Sequence, residues 1–109
     1  MLVKDLVNVV KAEIINEGNT LYKETNGCYI GDLLSWVMAN AEEGNIWITI
    51  MSNINVVAVA KLTDVSCVLM CEDVYPDADC IKRAKEQGIT ILKTSLSAYQ
   101  AAISISKAL

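Results

Sequence analysis

Histidine is absent from this 109-residue chain, and neither a phosphate-binding loop nor an acid–base pair at a recognisable spacing is present. A nucleophilic serine or cysteine needs a neighbouring base, which is usually histidine. The adjacent carboxylates Glu42-Glu43 and Glu72-Asp73 are typical of surface charges. The sequence therefore predicts no catalytic residue, no cofactor and no enzyme, and a cryptic enzyme is the least favoured function.

Long apolar runs and basic stripes are missing as well. No run approaches the roughly 20 residues that span a bilayer, and the N-terminal segment has acids early and no small-residue cleavage site. The net charge is −4, and the only basic cluster, Lys82, Arg83 and Lys85, is followed by Glu86. Nucleic-acid binding needs a basic surface that displaces counterions. We expect neither a membrane nor a nucleic-acid partner.

The four cysteines, Cys28, Cys67, Cys71 and Cys80, form no CxxC motif. Cys67 and Cys71 fall on one predicted strand, where four positions correspond to ~13 Å, too far for one disulfide or one tetrahedral metal. All four lie in apolar surroundings, which favours reduced, buried thiols that pack as small hydrophobes. The pattern predicts no disulfide and no metal, and it indicates a cytoplasmic chain.

Candidate strands and helices alternate along the chain. The pattern predicts strands at Ala12–Ile15, Cys28–Ile30, Asn45–Met51, Ser66–Cys71 and Ile89–Leu92. It predicts helices at Leu2–Val10, from Asp32 to Gly44, at Asn55–Leu62, from Pro76 to Gly88, and from a Thr94 or Ser95 cap to Lys107. We expect a single α/β domain over residues 1–109, with a mostly parallel sheet of four or five strands and helices on both faces.

One segment is ambiguous. The run VVAVA within Asn55–Leu62 favours a strand by propensity, and Ser52-Asn53 could turn a hairpin. A helix is more economical, because two parallel strands need a crossover between them. An antiparallel strand here would overturn the predicted fold.

Two helices carry more apolar surface than one sheet face can cover. In the first, Asp32 is the expected N-cap and Gly44 the expected C-cap, with a buried face of Leu34, Val37, Met38 and Ala41. Trp36 then lies on the opposite side, either as an interface anchor or packed on the Thr20–Asn26 segment. The closing helix is apolar over a wide arc: Leu96, Ala98, Tyr99, Ala101, Ala102, Ile103, Ile105 and Leu109. We expect a homodimer, with Trp36, Tyr99 and Ile105 at the interface.

Polar residues follow the predicted strands at their carboxyl ends, where parallel sheets bind ligands and helix N-termini receive anions. The candidate ligand-binding residues are Asp32, Ser52, Asn53, Asn55, Thr94 and Ser95. Helix capping without a ligand is the alternative, since every such sheet has capping residues at these places.

The stretch from Gly27 to Ala60, together with GITILKT and the helix after it, resembles the DRTGG domain family, above all its stand-alone members. The shared patterns are DLLSWVM from Asp32, GNIWIT from Gly44 and NVVAVA from Asn55. Leu33 stands where the naming motif has arginine, and Ile50-Met51 stand where it has two glycines. The resemblance implies a fold similar to the N-terminal domain of HPr kinase and a regulatory or dimerising role, as in pyrophosphatases with CBS domains.

These observations favour a small cytoplasmic regulatory or interaction module. It would be homodimeric, with a small anionic ligand, such as a nucleotide or phosphorylated metabolite, and a partner enzyme as further candidates. The alternative is a purely structural partner subunit with no ligand.

Overall fold

A computed structural model describes all residues from Met1 to Leu109. The strands are β1 (Glu13–Asn16), β2 (Cys28–Ile30), β3 (Ile46–Thr49), β4 (Cys67–Met70) and β5 (Ile91–Lys93). A 3-10 turn at Val3–Asp5 leads into α1 (Leu6–Val9), and the other helices are α2 (Leu34–Asn40), α3 (Asn55–Thr63), α4 (Ala78–Gln87) and α5 (Ala98–Ala108). None of these helices is long and apolar enough to cross a membrane.

The five strands form one sheet in the order β1-β5-β4-β3-β2. β2, β3, β4 and β5 run parallel, and β1 pairs antiparallel with β5. The expected α/β class with a mostly parallel sheet is confirmed. The ambiguous segment is the helix α3, because β3 and β4 are parallel neighbours and their connection must cross over.

Two apolar layers enclose the sheet. On one face, α2, α3 and α4 pack on a cluster that includes Trp47, Val68 and Ile91. On the other face, α1 and α5 pack on a cluster that includes Ile48 and Leu69. Every residue of β3 and β4 is buried, as their predominantly apolar sequences predict.

The boundaries of α2 differ from the prediction. Asp32 is not the N-cap, because its carboxylate bonds to Thr49 and Ile50; extended Leu33 takes the cap position without a side-chain cap. The helix ends at Asn40, and the predicted C-cap Gly44 lies in the later turn into β3 with φ +83°. The predicted buried face is thereby shortened.

The four side chains of that predicted face differ in how deeply they are buried. Val37 is buried and Leu34 and Ala41 are half-buried, whereas Met38 is 47% exposed. The expectation that Met38 is buried is wrong, because a helix of under two turns presents only a narrow stripe to the sheet.

α5 begins later than predicted. Neither Thr94 nor Ser95 caps it; Ser97 Oγ accepts a hydrogen bond from the Gln100 N–H, and Gln100 Oε1 accepts one from the Ser97 N–H. By contrast, the predicted ends of α4 are confirmed, since Asp77 occupies the N-cap and Gly88 closes the helix at φ +70°.

Two single-residue expectations are also wrong. Ile105 is only 1% exposed and belongs to the apolar cluster beneath α1 and α5, so it is a core residue rather than an interface anchor. Cys28 is exposed on the edge strand β2, so only Cys67, Cys71 and Cys80 are buried; all four thiols are unpaired.

Candidate functional site

The carboxyl edge of the sheet is where the sequence predicts a ligand site, and Asp32 makes two side-chain hydrogen bonds there. Asp32 Oδ1 accepts hydrogen bonds from Thr49 Oγ1 at 2.8 Å and from the Ile50 N–H at 2.9 Å. The Met51 N–H donates to Thr49 Oγ1 at 3.1 Å. Trp47 Nε1 on β3 donates a hydrogen bond to the carbonyl of Gly31, just after β2, at 2.9 Å. This network joins the end of β2 to the end of β3.

Ser52, Asn53 and Asn55 cluster at the start of α3. Asn53 Oδ1 accepts the Asn55 N–H at 2.9 Å, so this side chain serves the local turn. Ser52 Oγ lies 3.4 Å from Asp77 Oδ1, and the Ser52 carbonyl accepts the Asp77 N–H at 2.9 Å. The segment is therefore tied to the start of α4.

Thr94 and Ser95 follow β5, two strands away from β3. Thr94 is buried; its hydroxyl donates to the Val10 carbonyl at 2.6 Å and accepts the Leu96 N–H at 3.2 Å. Ser95 is exposed. The sheet order thus brings Asp32, Ser52, Asn53 and Asn55 to one end of the rim and leaves Thr94 and Ser95 on the order of 10 Å along it.

The charges of this rim do not suit an anion. Asp32, Glu72, Asp73 and Asp77 all lie at the ends of strands or starts of helices there, and Lys93 is already paired with Asp73. None of the six predicted ligand residues lines a cavity. Of these six residues, Asp32, Ser52, Asn53 and Thr94 use their side chains in hydrogen bonds within the protein.

A cleft that the sequence does not reveal lies at the opposite, amino edge of the sheet. Its volume is about 150 Å³, and its lining is mostly polar, including Lys23, Lys61, Asp64, Ser66 and Thr90. A second cleft of about 110 Å³ shares Lys23, Asp64 and Ser66 with it. The lining residues come from separate turns, and the sequence pattern of each turn indicates only a helix end or a loop.

The wall of this amino-edge cleft is held by hydroxyl groups. Thr20 Oγ1 and Thr90 Oγ1 lie 2.7 Å apart, and the Gly18 N–H donates to Thr90 Oγ1 at 3.1 Å. Ser66 Oγ donates to the Asn45 carbonyl at 3.0 Å. Lys23 and Lys61 form no ion pair and line the cleft together with Asp64, so a bound anion would meet two cations and one carboxylate.

The thiols offer no nucleophile. Burial raises the pKa of Cys67 to about 12 and that of Cys80 to about 11, and it also raises the pKa of Cys71; partial burial of the thiol raises the pKa of Cys28, although that residue is exposed. All four are therefore protonated near neutral pH. No group of three or more Cys, Asp or Glu side chains is arranged to hold a metal ion.

An exposed apolar group surrounds the free edge of β2, and we call it the edge patch: Cys28, Ile30, Leu33 and Trp36. Leu33 is 66% exposed and Trp36 is 63% exposed, so Trp36 is not packed on the Thr20–Asn26 segment. Tyr99, the other predicted interface residue, is exposed on α5. Large apolar side chains grouped at one edge are typical of an interaction surface.

Comparison with known proteins places this fold. The sequence model of the DRTGG domain family matches residues 5–108 of this chain. No curated protein matches the chain significantly. A similar solved structure is that of the CBS and DRTGG domains of the regulatory region of Clostridium perfringens pyrophosphatase, complexed with its activator diadenosine tetraphosphate. The TM-score is 0.73 at 18% identity, covering 96% of this chain and 46% of the other, so the chain spans about half of that region. The chain belongs to the DRTGG domain family.

Proposed function

We propose that this protein is a regulatory interaction module that acts as a homodimer. The observation that carries the proposal is the edge patch, where Leu33 and Trp36 expose most of their surface. Burying apolar area stabilises an association by roughly 25 cal/mol per Å² before the entropic costs of binding, and an exposed tryptophan supplies on the order of 150 Å². Nothing in the protomer covers these side chains.

The regulatory part of the proposal rests on the family. The solved region that shares this fold regulates a pyrophosphatase and contains a DRTGG domain beside CBS domains. We propose that this chain likewise acts on a partner enzyme and has no catalysis of its own. The raised thiol pKa values and the absence of histidine support a non-catalytic role. The buried, unpaired thiols support a cytoplasmic location.

Light scattering on the purified protein at micromolar concentration tests the homodimer. We expect twice the 11.9 kDa protomer mass for the wild type and a concentration-dependent loss of the dimer for Trp36→Ala. Leu62→Ala is the matched control, because Leu62 is an exposed apolar residue on α3. A protomer mass for the wild type would overturn the proposal.

A nucleotide ligand is a second candidate, favoured by the diadenosine tetraphosphate in the solved regulatory region. The carboxyl rim is acidic, whereas the amino-edge cleft has Lys23 and Lys61 at its border. Thermal-shift measurements with ATP and diadenosine tetraphosphate test this candidate, since a ligand that binds only the folded state raises the melting temperature.

Two variants locate the ligand. Lys61→Ala should abolish the thermal shift if the cleft binds the phosphates, and Asn53→Ala should abolish it if the carboxyl rim does. A melting temperature that neither nucleotide changes would exclude the nucleotide and favour a purely structural subunit.

A further inference from the structure

β2 is an open edge of the sheet with its main chain available for pairing. The Gly27 carbonyl accepts the Ile46 N–H at 2.9 Å, and the Gly31 N–H donates to the Ile48 carbonyl at 3.2 Å. Because main-chain groups alternate in direction along a strand, Cys28 and Ile30 point their N–H and C=O groups away from β3. These four groups have no partner in the protomer.

Apart from its short length of three residues, β2 lacks the devices that protect the other edge of the sheet. β1 carries the exposed charge of Glu13, and its register with β5 shifts between Ile14 and Asn16. Charges and irregular register are the usual devices against unwanted edge pairing. β2 has neither: its sequence is Cys-Tyr-Ile between two glycines, and its pairing with β3 is regular.

Apolar side chains flank β2 on both faces of the sheet. Cys28 and Ile30 are exposed, although Ile46 and Ile48 beside them on β3 are buried, so α1 and α5 leave this part of their face uncovered. On the opposite face, α3 packs on one side of α2. In a right-handed β2–α2–β3 connection the other side of α2 faces the free edge, and the exposed Leu33 and Trp36 lie there.

We propose that β2 pairs antiparallel with β2 of a second copy, which makes one continuous ten-stranded sheet. The proposal rests on the homodimer proposed above and specifies how it forms. Tyr29 faces Tyr29 of the second copy across a twofold axis perpendicular to the sheet, and Cys28 faces Ile30 twice. In this register both outward-facing residues form hydrogen-bonded pairs, so the four free main-chain groups of each copy are all satisfied.

The register centred on Cys28 leaves groups unpaired. A pairing centred on Cys28 would place Ile30 opposite Asn26, but the Asn26 N–H already donates to the Gly44 carbonyl at 2.8 Å. The pairing centred on Tyr29 uses no group that the protomer needs. It also sets the two α2 helices side by side on one face, with Leu33 and Trp36 of each turned toward the other.

A second copy fits this edge better than an unrelated strand for two reasons. The net charge is −4, so two copies repel each other on average, but the one charged residue between Ile30 and Leu33, Asp32, directs its carboxylate to Thr49 and Ile50 at the end of β3. Pairing with a second copy at this edge would also bury apolar side chains on both faces of the sheet, in addition to the main chain of β2.

Two substitutions of Ile30 test the pairing. Ile30→Pro removes the outward N–H that the pairing needs and no hydrogen bond of the protomer, because proline is tolerated at a free edge position. Ile30→Lys keeps the N–H and adds the charge that blocks edges. We expect each to raise the dimer dissociation constant by roughly tenfold or more, as measured by light scattering or analytical ultracentrifugation. Leu62→Lys is the matched control on α3.

Hydrogen exchange on the wild type provides a readout that does not depend on how a variant folds. The Ile30 and Cys28 amides should exchange slowly at concentrations where the dimer forms and rapidly on dilution. A dimer with unprotected amides at both positions, undisturbed by either Ile30 substitution, would overturn the edge pairing and leave the homodimer standing. A monomeric wild type would overturn both and leave the edge open to an extended segment of another protein.

Discussion

Asp32 and Thr49 join the ends of two neighbouring parallel strands through one hydrogen bond of 2.8 Å, from Thr49 Oγ1 to Asp32 Oδ1. Thr49 is buried and Asp32 is exposed, so the bond links the interior of the sheet to its rim. The same carboxylate oxygen also accepts the Ile50 N–H. Asp32 therefore has a structural role: it holds the ends of β2 and β3 together.

Asp32→Ala is expected to lower the free energy of unfolding by about 1–3 kcal/mol, because it leaves the Thr49 hydroxyl and the Ile50 N–H without their acceptor. Urea denaturation measures the loss. Thr49→Val completes a double-mutant cycle, and the two losses should sum to more than that of the double variant. Strict additivity of the two would show that the bond contributes nothing.

Gly18 is expected to tolerate no side chain. A Cβ there would lie 2.3 Å from the Gly88 carbonyl oxygen and 2.5 Å from the Thr90 backbone nitrogen, and neither backbone atom can move without displacing the end of α4. Gly18→Ala should therefore destabilise the fold by about 1–3 kcal/mol or more, as overpacking does. Thermal denaturation measures it.

The control for that prediction is Gly31→Ala, whose Cβ would meet only side chains, the nearest being Tyr29 Cε2 at 3.1 Å. Gly31 does not have a positive φ, so Gly31→Ala should lower the stability of the fold less than Gly18→Ala does. Equal melting temperatures for the two variants would contradict the steric argument.

Helix α5 provides a test of the corrected cap. Ser97→Ala removes the hydroxyl that accepts the Gln100 N–H and should cost about 1 kcal/mol of stability. Ser95→Ala, two residues earlier, is the matched control and should cost almost nothing, because Ser95 is exposed and its side chain makes no hydrogen bond. A larger loss for Ser95→Ala in urea denaturation would restore the cap that the sequence suggests.

Most of the architecture is predictable from the sequence because local pattern and topology agree. The runs Ile46–Thr49 and Cys67–Met70 are rich in apolar and β-branched residues on both faces, as expected for strands of a sheet that is covered by helices. Once both are parallel strands, the segment between them must cross over. Propensity alone would have made α3 a strand, so topology decides this element.

The helix ends and the interface residues are less predictable because they depend on partners remote in sequence. Asp32 would be a good cap, but Thr49 and Ile50 compete for its carboxylate. Ile105 looks surplus to one sheet face, but Leu6 of α1 and Val10 just after that helix belong to the same buried cluster. The amino-edge cleft is likewise assembled from turns far apart in the chain.

Thiol reactivity should separate Cys28 from the other three cysteines. Cys28 is exposed, whereas Cys67, Cys71 and Cys80 are buried. In the folded protomer, at concentrations below those at which the dimer forms, we expect a thiol reagent to modify one cysteine quickly, and Cys28→Ser to abolish that phase. Denaturant should make the three buried cysteines react as well. Fast modification of a second cysteine in the folded state would contradict the burial of the other three.

Cys67 should make the stability of the protein fall at alkaline pH. Burial raises the pKa of its thiol from 9.0 to about 12 in the folded state. Above the unfolded value, the unfolded chain has lost a proton that the folded chain still holds, so unfolding becomes more favourable as pH rises. The stability from this thiol is fully present below pH 9.0 and is lost as pH rises toward about 12.

Cys67→Ala tests this dependence. The variant should be less stable at neutral pH, because it leaves a small cavity in the core beneath α1 and α5. Its free energy of unfolding, from urea denaturation between about pH 8 and about pH 10.5, should nevertheless fall less steeply than that of the wild type. Cys28→Ala is the control, because Cys28 is exposed and burial affects it less. Parallel pH profiles for wild type and Cys67→Ala would show that the Cys67 thiol ionises alike in the folded and unfolded chain.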